Sequence, residues 1–400
     1  MTVLHAPRVV RRHRWADLDW WLVIAVALLV LIGTVLIWSA TSHRDDLTGG
    51  RPTAYLSKQG VNAVIAVTLG GLIAATDRRS IRVWAPLIYI GSVVGLLLVF
   101  MPGVGATING SHSWLDVGGL SIQPVEFAKV GVIVGMALVL AERAEAGLRS
   151  VMRDSDLLPA LAIAAVPAVL ILAQPDLGSL MVLAAIVFGV LAMAGTAKRW
   201  LGALLAVGVT ALVLAVAVGV LQEYQLSRFE AFADPSLDPR GAGYNTIQAR
   251  IAIGNGGVLG QGLFQGSQTQ SGFVPEQHTD FIFTVAGEEL GLVGSAAVIM
   301  LLGVVLWRCL RIARQADDIF GRLAAVGIAC WFGFQSFQNI GMCLGIMPVT
   351  GVPLPFVSYG GTSMFASMMA VGLLLNIRRR AGGPTGHGVV VRSRLQRSRF

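Results

Sequence analysis

The sequence predicts an all-α polytopic membrane protein of about ten transmembrane helices, with a large external loop between spans 7 and 8. Three observations lead there. Of 400 residues, 55% are hydrophobic and only 13% are charged, against about 25% charged in ordinary soluble domains. The apolar residues gather in runs of about 17–23, long enough to cross ~30 Å of hydrocarbon. Basic residues fall on alternate connections between those runs, 23 of the 30 Lys and Arg, which is the positive-inside pattern.

The runs are 19–40, 56–76, 84–101, 121–141, 157–173, 179–195, 200–222, 281–306, 323–344 and 357–377. Helices are the expected spanning form, because lipid cannot hydrogen-bond an open backbone and barrel strands would alternate in polarity. Arg8, Arg11, Arg12 and Arg14 precede the first run. Later clusters are Arg78/Arg79/Arg82, Arg143/Arg149/Arg153, Lys198/Arg199, Arg308/Arg311/Arg314/Arg322 and Arg378/Arg379/Arg380, with four more arginines in the tail. This alternation predicts both termini in the cytoplasm and segment 222–280 outside. It also explains the net charge of +8 without a nucleic-acid partner. No small-residue cleavage site of the usual kind follows the first run, so it reads as a span and not a signal peptide.

Domain organisation follows: a cytoplasmic N-terminal tail 1–18, one membrane domain 19–378, and a cytoplasmic basic tail 379–400. The last has too little apolar content to fold alone. Cys309, Cys330 and Cys343 fit neither a zinc motif nor a disulfide framework. The 48 glycines suit close helix packing through small side chains. Three external connections stand out. Segment 101–120 is Gly-rich. Segment 222–280 is long and without obvious helical periodicity, a kind of connection that is more often functional than decorative. Segment 345–356 is broken by Pro348, Pro353 and Pro355.

Two constellations carry candidate chemistry. In QPVEFAK at 123–129, Pro124 suits a first helical turn. Glu126 and Lys129 share one face, three residues apart. Each charge near mid-membrane costs about 2.5–3.5 kcal/mol. The pair reads either as self-neutralising or as a cation oriented by Glu126 toward an anionic ligand. In PEQHTDFIF, Glu276, His278 and Asp280 lie directly before span 8. Thr279 or Asp280 suits an N-cap there; Asp280 equally suits a general base if burial raises its pKa. Glu288 and Glu289, deeper in the span, read as structural or protonated. Arg228, Arg240 and Arg250 are scarce external cations, open to phosphate contact or to pairing with nearby acids. GNGGVLGQG at 254–262 lacks the Gly-Lys-Ser/Thr ending of a phosphate loop. QPDLG at 174–178 reads as a tight turn.

Taken together, IWSA, SWLDVGGLSIQPVEFAK, AQPDLGS, DPSLDPRGAGYNTIQARIAIGNGGVLGQG, FVPEQHTDFIF and GVPLPFVSYGGTS, running in order from residue 37 to residue 363, resemble the SEDS family (shape, elongation, division and sporulation). The DPSLDPRGAGYNTIQ and WLDVG strings resemble its elongation branch more than its division branch. The resemblance implies an inverting peptidoglycan glycosyltransferase. It would polymerise lipid II at the outer face of the bacterial cytoplasmic membrane, for elongation and rod shape, beside a class B penicillin-binding protein. It implies Asp280 as the essential acid and Glu126 and Lys129 as the family's span-4 pair. Trp114, Arg250, His278 and Ser358 are the further candidates for substrate contact. A divalent cation, Mg²⁺ or Mn²⁺, is a candidate for charge stabilisation on the leaving diphosphate. Val125 stands where the family usually has Ser, and Ser113 where a basic residue precedes Trp114, with His112 the candidate replacement. A lipid II flippase and a non-catalytic scaffold for the penicillin-binding protein are the alternative readings.

Overall fold

Every long apolar run is a helix in the computed structural model, which describes residues 18–108, 111–117, 120–147, 153–218, 223–238 and 241–381. The spanning elements are α1 (Trp20–Ser42), α3 (Ala54–Ala75), α4 (Arg78–Leu98), α5 (Pro124–Ala146), α6 (Asp154–Ala173), α7 (Leu177–Met193), α8 (Lys198–Ala217), α12 (Ile282–Gln315), α13 (Ile319–Leu344) and α14 (Gly361–Ala381). Each falls on one of the ten expected spans, so the all-α polytopic reading holds. Arg8, Arg149, Arg240 and the basic tail beyond 381 lie outside the described residues.

Burial orders the bundle. The apolar stretch of α5 is 89% buried and that of α13 72%, while α8 buries none of its own; α5 and α13 form the centre and α8 the rim. Small residues bring backbones together, as expected. A Cβ on Gly372 of α14 would lie 2.2 Å from the Gly70 carbonyl of α3, so that contact requires glycine. At the end of the bundle where α1 begins, Arg308 of α12 donates to the buried Asp19 carboxylate, with Nε at 3.1 Å, and Asp19 also accepts from the Leu22 amide that opens α1.

The external connections hold more structure than their composition suggests. Segment 101–120 is not a plain loop. β1 (Gly105–Ile108), β2 (Ser111–Val117) and β3 (Leu120–Ile122) form an antiparallel sheet. Residues 222–280 contain α9 (Glu223–Ala233), a 3-10 turn at Pro235–Leu237, α10 (Ala242–Asn255) and α11 (Ser267–Ser271). The short helix α2 (Asp45–Thr48) follows α1.

The Gly-rich stretch 254–262 is a clasp and not a phosphate loop. Helix α12 breaks at Gly291, where φ is +66 and ψ −163, a conformation essentially reserved for glycine. The break frees main-chain groups that must be re-paired at membrane depth, and the clasp supplies the partners. Gln261 N and Gly262 N donate to the Glu288 and Glu289 carbonyls at 2.9 and 3.0 Å. Leu292 N and Val293 N donate to the Gly257 and Val258 carbonyls at 3.0 and 3.1 Å. A Cβ on Gly256 would meet the Gly287 carbonyl at 1.9 Å, and one on Gly260 the Glu289 carbonyl at 2.1 Å.

Candidate active site

Asp280 is presented by a tight turn built on Glu276. Glu276 has φ +48, an uncommon conformation for a side-chain-bearing residue and one that tends to cluster at functional sites. Its carbonyl accepts from the amides of Thr279, Asp280 and Phe281 at 3.2, 3.0 and 3.2 Å. The N-cap of α12 is Phe281, and no side chain caps it. Thr279 turns back instead to the Glu276 carbonyl and carboxylate, both at 3.1 Å. The capping alternative for Thr279 and Asp280 is therefore corrected.

Asp280 is half-buried, and its carboxylate accepts no hydrogen bond from the described residues. Burial, reinforced by the neighbouring Glu276 and Asp176 charges and opposed by Arg228, pushes its carboxyl up from the usual 3.8 to about 7. Although its surface keeps some access to solvent, protein packs closely around the carboxylate, and that crowding sets the direction of the shift.

Several connecting segments from one end of the bundle meet around this turn. Tyr359 N donates to the His278 carbonyl at 3.0 Å. The His278 ring stacks edge-on against Tyr55 at 5.0 Å and lies 5.7 Å from Tyr359. His278 is buried, which is the main reason its pKa falls below 6.5. A Cβ on Gly351 would touch Asp280 Oδ2 at 3.3 Å. Asp176 caps α7 through the Ser179 amide at 2.9 Å, and Gln225 Nε2 of α9 reaches the Pro175 carbonyl at 3.2 Å. Pro175, Gly178, Gln225, Arg228, Val349 and Thr350 border a small recess at this end of the bundle.

The remaining candidates are placed as follows. Lys129 and Glu126 are fully buried in α5; Lys129 Nζ donates to Glu126 Oε1 and to Gln335 Oε1 of α13, both at 2.7 Å. The ammonium is thus enclosed by protein partners, the self-neutralising arrangement, and faces no external ligand. Trp114 is half-buried on β2, opposite Ala106, and His112 pairs with Thr107 in the same ladder. Arg250 is exposed on α10, its stem beside Gly345, the left-handed cap that ends α13; a cation suits that end of a helix. Ser358 is buried, and its hydroxyl accepts from Leu354 N at 2.8 Å, which braces the proline-rich loop. Glu288 and Glu289 are buried and structural. Glu288 accepts from Ser267 Oγ, Gln268 N, Thr269 N and Thr269 Oγ1, and Glu289 accepts from Ser39 Oγ at 2.6 Å.

Sequence reading passed over Gln335 and Asn339. Asn339 Nδ2 donates to the main-chain carbonyls of Asp280 and Val352, both at 2.7 Å. The available signal was two amide side chains four residues apart inside an apolar span, where unpaired polar groups are costly.

Residues 19–382 match the family described as cell cycle protein, which covers FtsW, RodA and SpoVE. The chain is 36% identical to a probable peptidoglycan glycosyltransferase FtsW of Trichlorobacter lovleyi, over 91% of this chain and 94% of that one. Among solved structures it is similar to a chain from a study of how a peptidoglycan synthase complex coordinates polymerization and crosslinking. There the TM-score is 0.75 at 32% identity, over 92% of this chain and 100% of the other. It is similar also to the rod shape determining protein RodA of Thermus thermophilus, with TM-score 0.68 at 30% identity, covering 92% and 99%.

Proposed function

Because this chain belongs to the FtsW/RodA/SpoVE family of multi-pass membrane proteins, we propose that it is a peptidoglycan glycosyltransferase that polymerises lipid II at the outer face of the cytoplasmic membrane, with both termini inside. The observation that carries the reading is Asp280. It is a half-buried carboxylate at the outer end of the bundle, without a structural hydrogen-bonding duty and with its pKa raised to about 7. A general base works best when its pKa lies near the operating pH.

In this mechanism Asp280 takes the proton from the acceptor sugar hydroxyl as its oxygen attacks the donor sugar carbon. The bond to the lipid diphosphate breaks with inversion, and no protein nucleophile is needed. Arg228 and Arg250, among the described cations, are the proposed contacts of the diphosphate. Among the described residues no three His, Cys, Asp or Glu side chains are grouped to hold a metal. The site therefore suits only a cation that takes most of its ligands from phosphate and water, as Mg²⁺ or Mn²⁺ does. Such a cation would supply charge neutralisation on the leaving group, with the Asp280 carboxylate left to act as base. An apolar groove of about 250 Å³ between α4 and α5, lined by Ile88, Leu115, Ile122, Phe127, Val130 and Met369 among others, offers room for part of a lipid chain.

A class B penicillin-binding protein is the proposed partner, in keeping with the synthase complex among the structural relatives. The elongation role rests on the DPSLDPRGAGYNTIQ and WLDVG strings and on the RodA likeness; the FtsW relative carries a division name. Complementation of elongation-deficient and division-deficient cells separates the two. The enzymatic test is polymer formation from purified lipid II in detergent, with and without divalent cation and partner. Wild type is expected to make strands and Asp280→Ala none. Full activity of Asp280→Ala, or lipid movement across vesicles with no polymer, overturns the reading.

A further inference from the structure

Lys129 sits too deep to meet a ligand from outside, yet its charge orients the Gln335 amide, which holds the backbone stretch that borders Asp280. A lysine ammonium can only donate. It therefore draws Oε1 of Gln335 toward itself, and Trp331 Nε1 donates to the same oxygen at 2.7 Å. The Gln335 amide has then only its NH₂ to offer on the other side, and that group donates to the Pro353 carbonyl at 2.8 Å. One helical turn further along α13, Asn339 Nδ2 bridges the carbonyls of Val352 and Asp280. Gly351, the next residue back, borders the Asp280 carboxylate itself. Gln335 and Asn339, like Lys129, have no exposed surface. The two α13 amides thus hold one strand of backbone, 351–353, against the turn that carries the acid.

We propose that Glu126, Lys129, Gln335 and Asn339 form one positioning strut that fixes Asp280 through the 351–353 backbone, and that Lys129 acts on the reaction through Gln335 and that backbone without touching the substrate. This rests on the lipid II polymerase reading above. A fixed geometry matters because a misplacement of ~1 Å in a reacting group costs about 100-fold in rate.

The test compares full-length wild type, Lys129→Met, Asn339→Leu and the double variant, by kcat and KM on lipid II in detergent. Each single variant is expected to lose about 100-fold in kcat with KM within about twofold, and the double variant to lose no more than the worse single, since groups acting as a unit are not additive. A tenfold or larger rise in KM for Lys129→Met with kcat retained would make it a substrate contact. Losses that multiply to roughly 10⁴ would make the residues independent. Either result overturns the strut. The double variant Glu126→Gln/Lys129→Met guards against a folding artefact, because it takes the cation from Gln335 Oε1 without leaving a buried, unpaired carboxylate; wild-type kcat in it also overturns the proposal. Amide exchange reads the strut without activity. Faster exchange at 278–284 and 351–354 in Lys129→Met is expected, and unchanged exchange there overturns it. Faster exchange in a protein whose wild type makes no polymer would retire the polymerase reading and keep the strut.

Discussion

Asp280 and Glu288 stand eight positions apart in the chain, and the two carboxylates are built in opposite ways. Glu288 is fully buried and takes hydrogen bonds from two amides and two hydroxyls of α11. Those bonds join the external loop to the top of α12. Asp280 is half-buried, its carboxylate is left out of such bonds, and its main chain is held instead, by Asn339 and by the Glu276 turn. Chain proximity therefore says little about role. What separates a structural acid from a reactive one is whether the side chain or the backbone is tied down. A tied side chain has spent its lone pairs; a tied backbone aims a side chain whose lone pairs remain available.

Substitution at each site sharpens that contrast. Asp280→Asn is expected to have the largest effect on the reaction, a fall of about 10²–10⁴-fold in polymerisation, with the fold retained. Normal turnover would place the base elsewhere. Glu288→Ala should reverse the pattern. Four donors, two of them on the buried Thr269, lose their acceptor, for a destabilisation of about 3–5 kcal/mol, read as a lower melting temperature and faster proteolysis within 254–281. Should Glu288→Ala keep its stability and lose only turnover, the division of labour is wrong. Gly260→Ala strikes the clasp alone. Its Cβ would collide with the Glu289 carbonyl, and about 1–3 kcal/mol of stability should go.

The pH dependence distinguishes the two acids more gently. Turnover should fall as pH drops through about 7, the value for Asp280, because the base must be ionised. Stability runs the other way. A folded pKa raised above 3.8 means that the native state keeps a proton the unfolded chain releases, so this residue's contribution declines as pH rises from near 4 to near 7. The melting temperature of Asp280→Asn should equal that of wild type at pH 4 and exceed it at pH 8. A gap of the opposite sign would mean that the carboxylate is stabilised as an anion. The smallest effect is expected at Ser358→Ala, about 1 kcal/mol for the lost bond from Leu354 N, with turnover largely kept.

The spans were legible because each needs only a local apolar run. Asp280 was visible as an acid at the lip of a span. Its freedom from capping was not, since that depends on the left-handed Glu276 turn and not on residue type. The sheet at 105–122 was hidden because its strands are short and Gly-flanked, and strand pairing is non-local. Lys129 and Glu126 were found as a pair, yet the depth of their burial depends on α13, two hundred residues away. Gln335 and Asn339 went unremarked for the same reason, as an amide in a span acquires meaning only from the carbonyls it meets. The glycines of 254–262 were counted without their purpose, because the object they fit is the broken helix they precede.

That break has a consequence for the order of biosynthesis. The clasp at 254–262 lies upstream of Gly291, so the ribosome makes it first. When α12 enters the bilayer, the segment that will complete its interrupted backbone has emerged before it. A broken span whose partner came later in the chain would wait in lipid with open main-chain groups, each costing several kcal/mol.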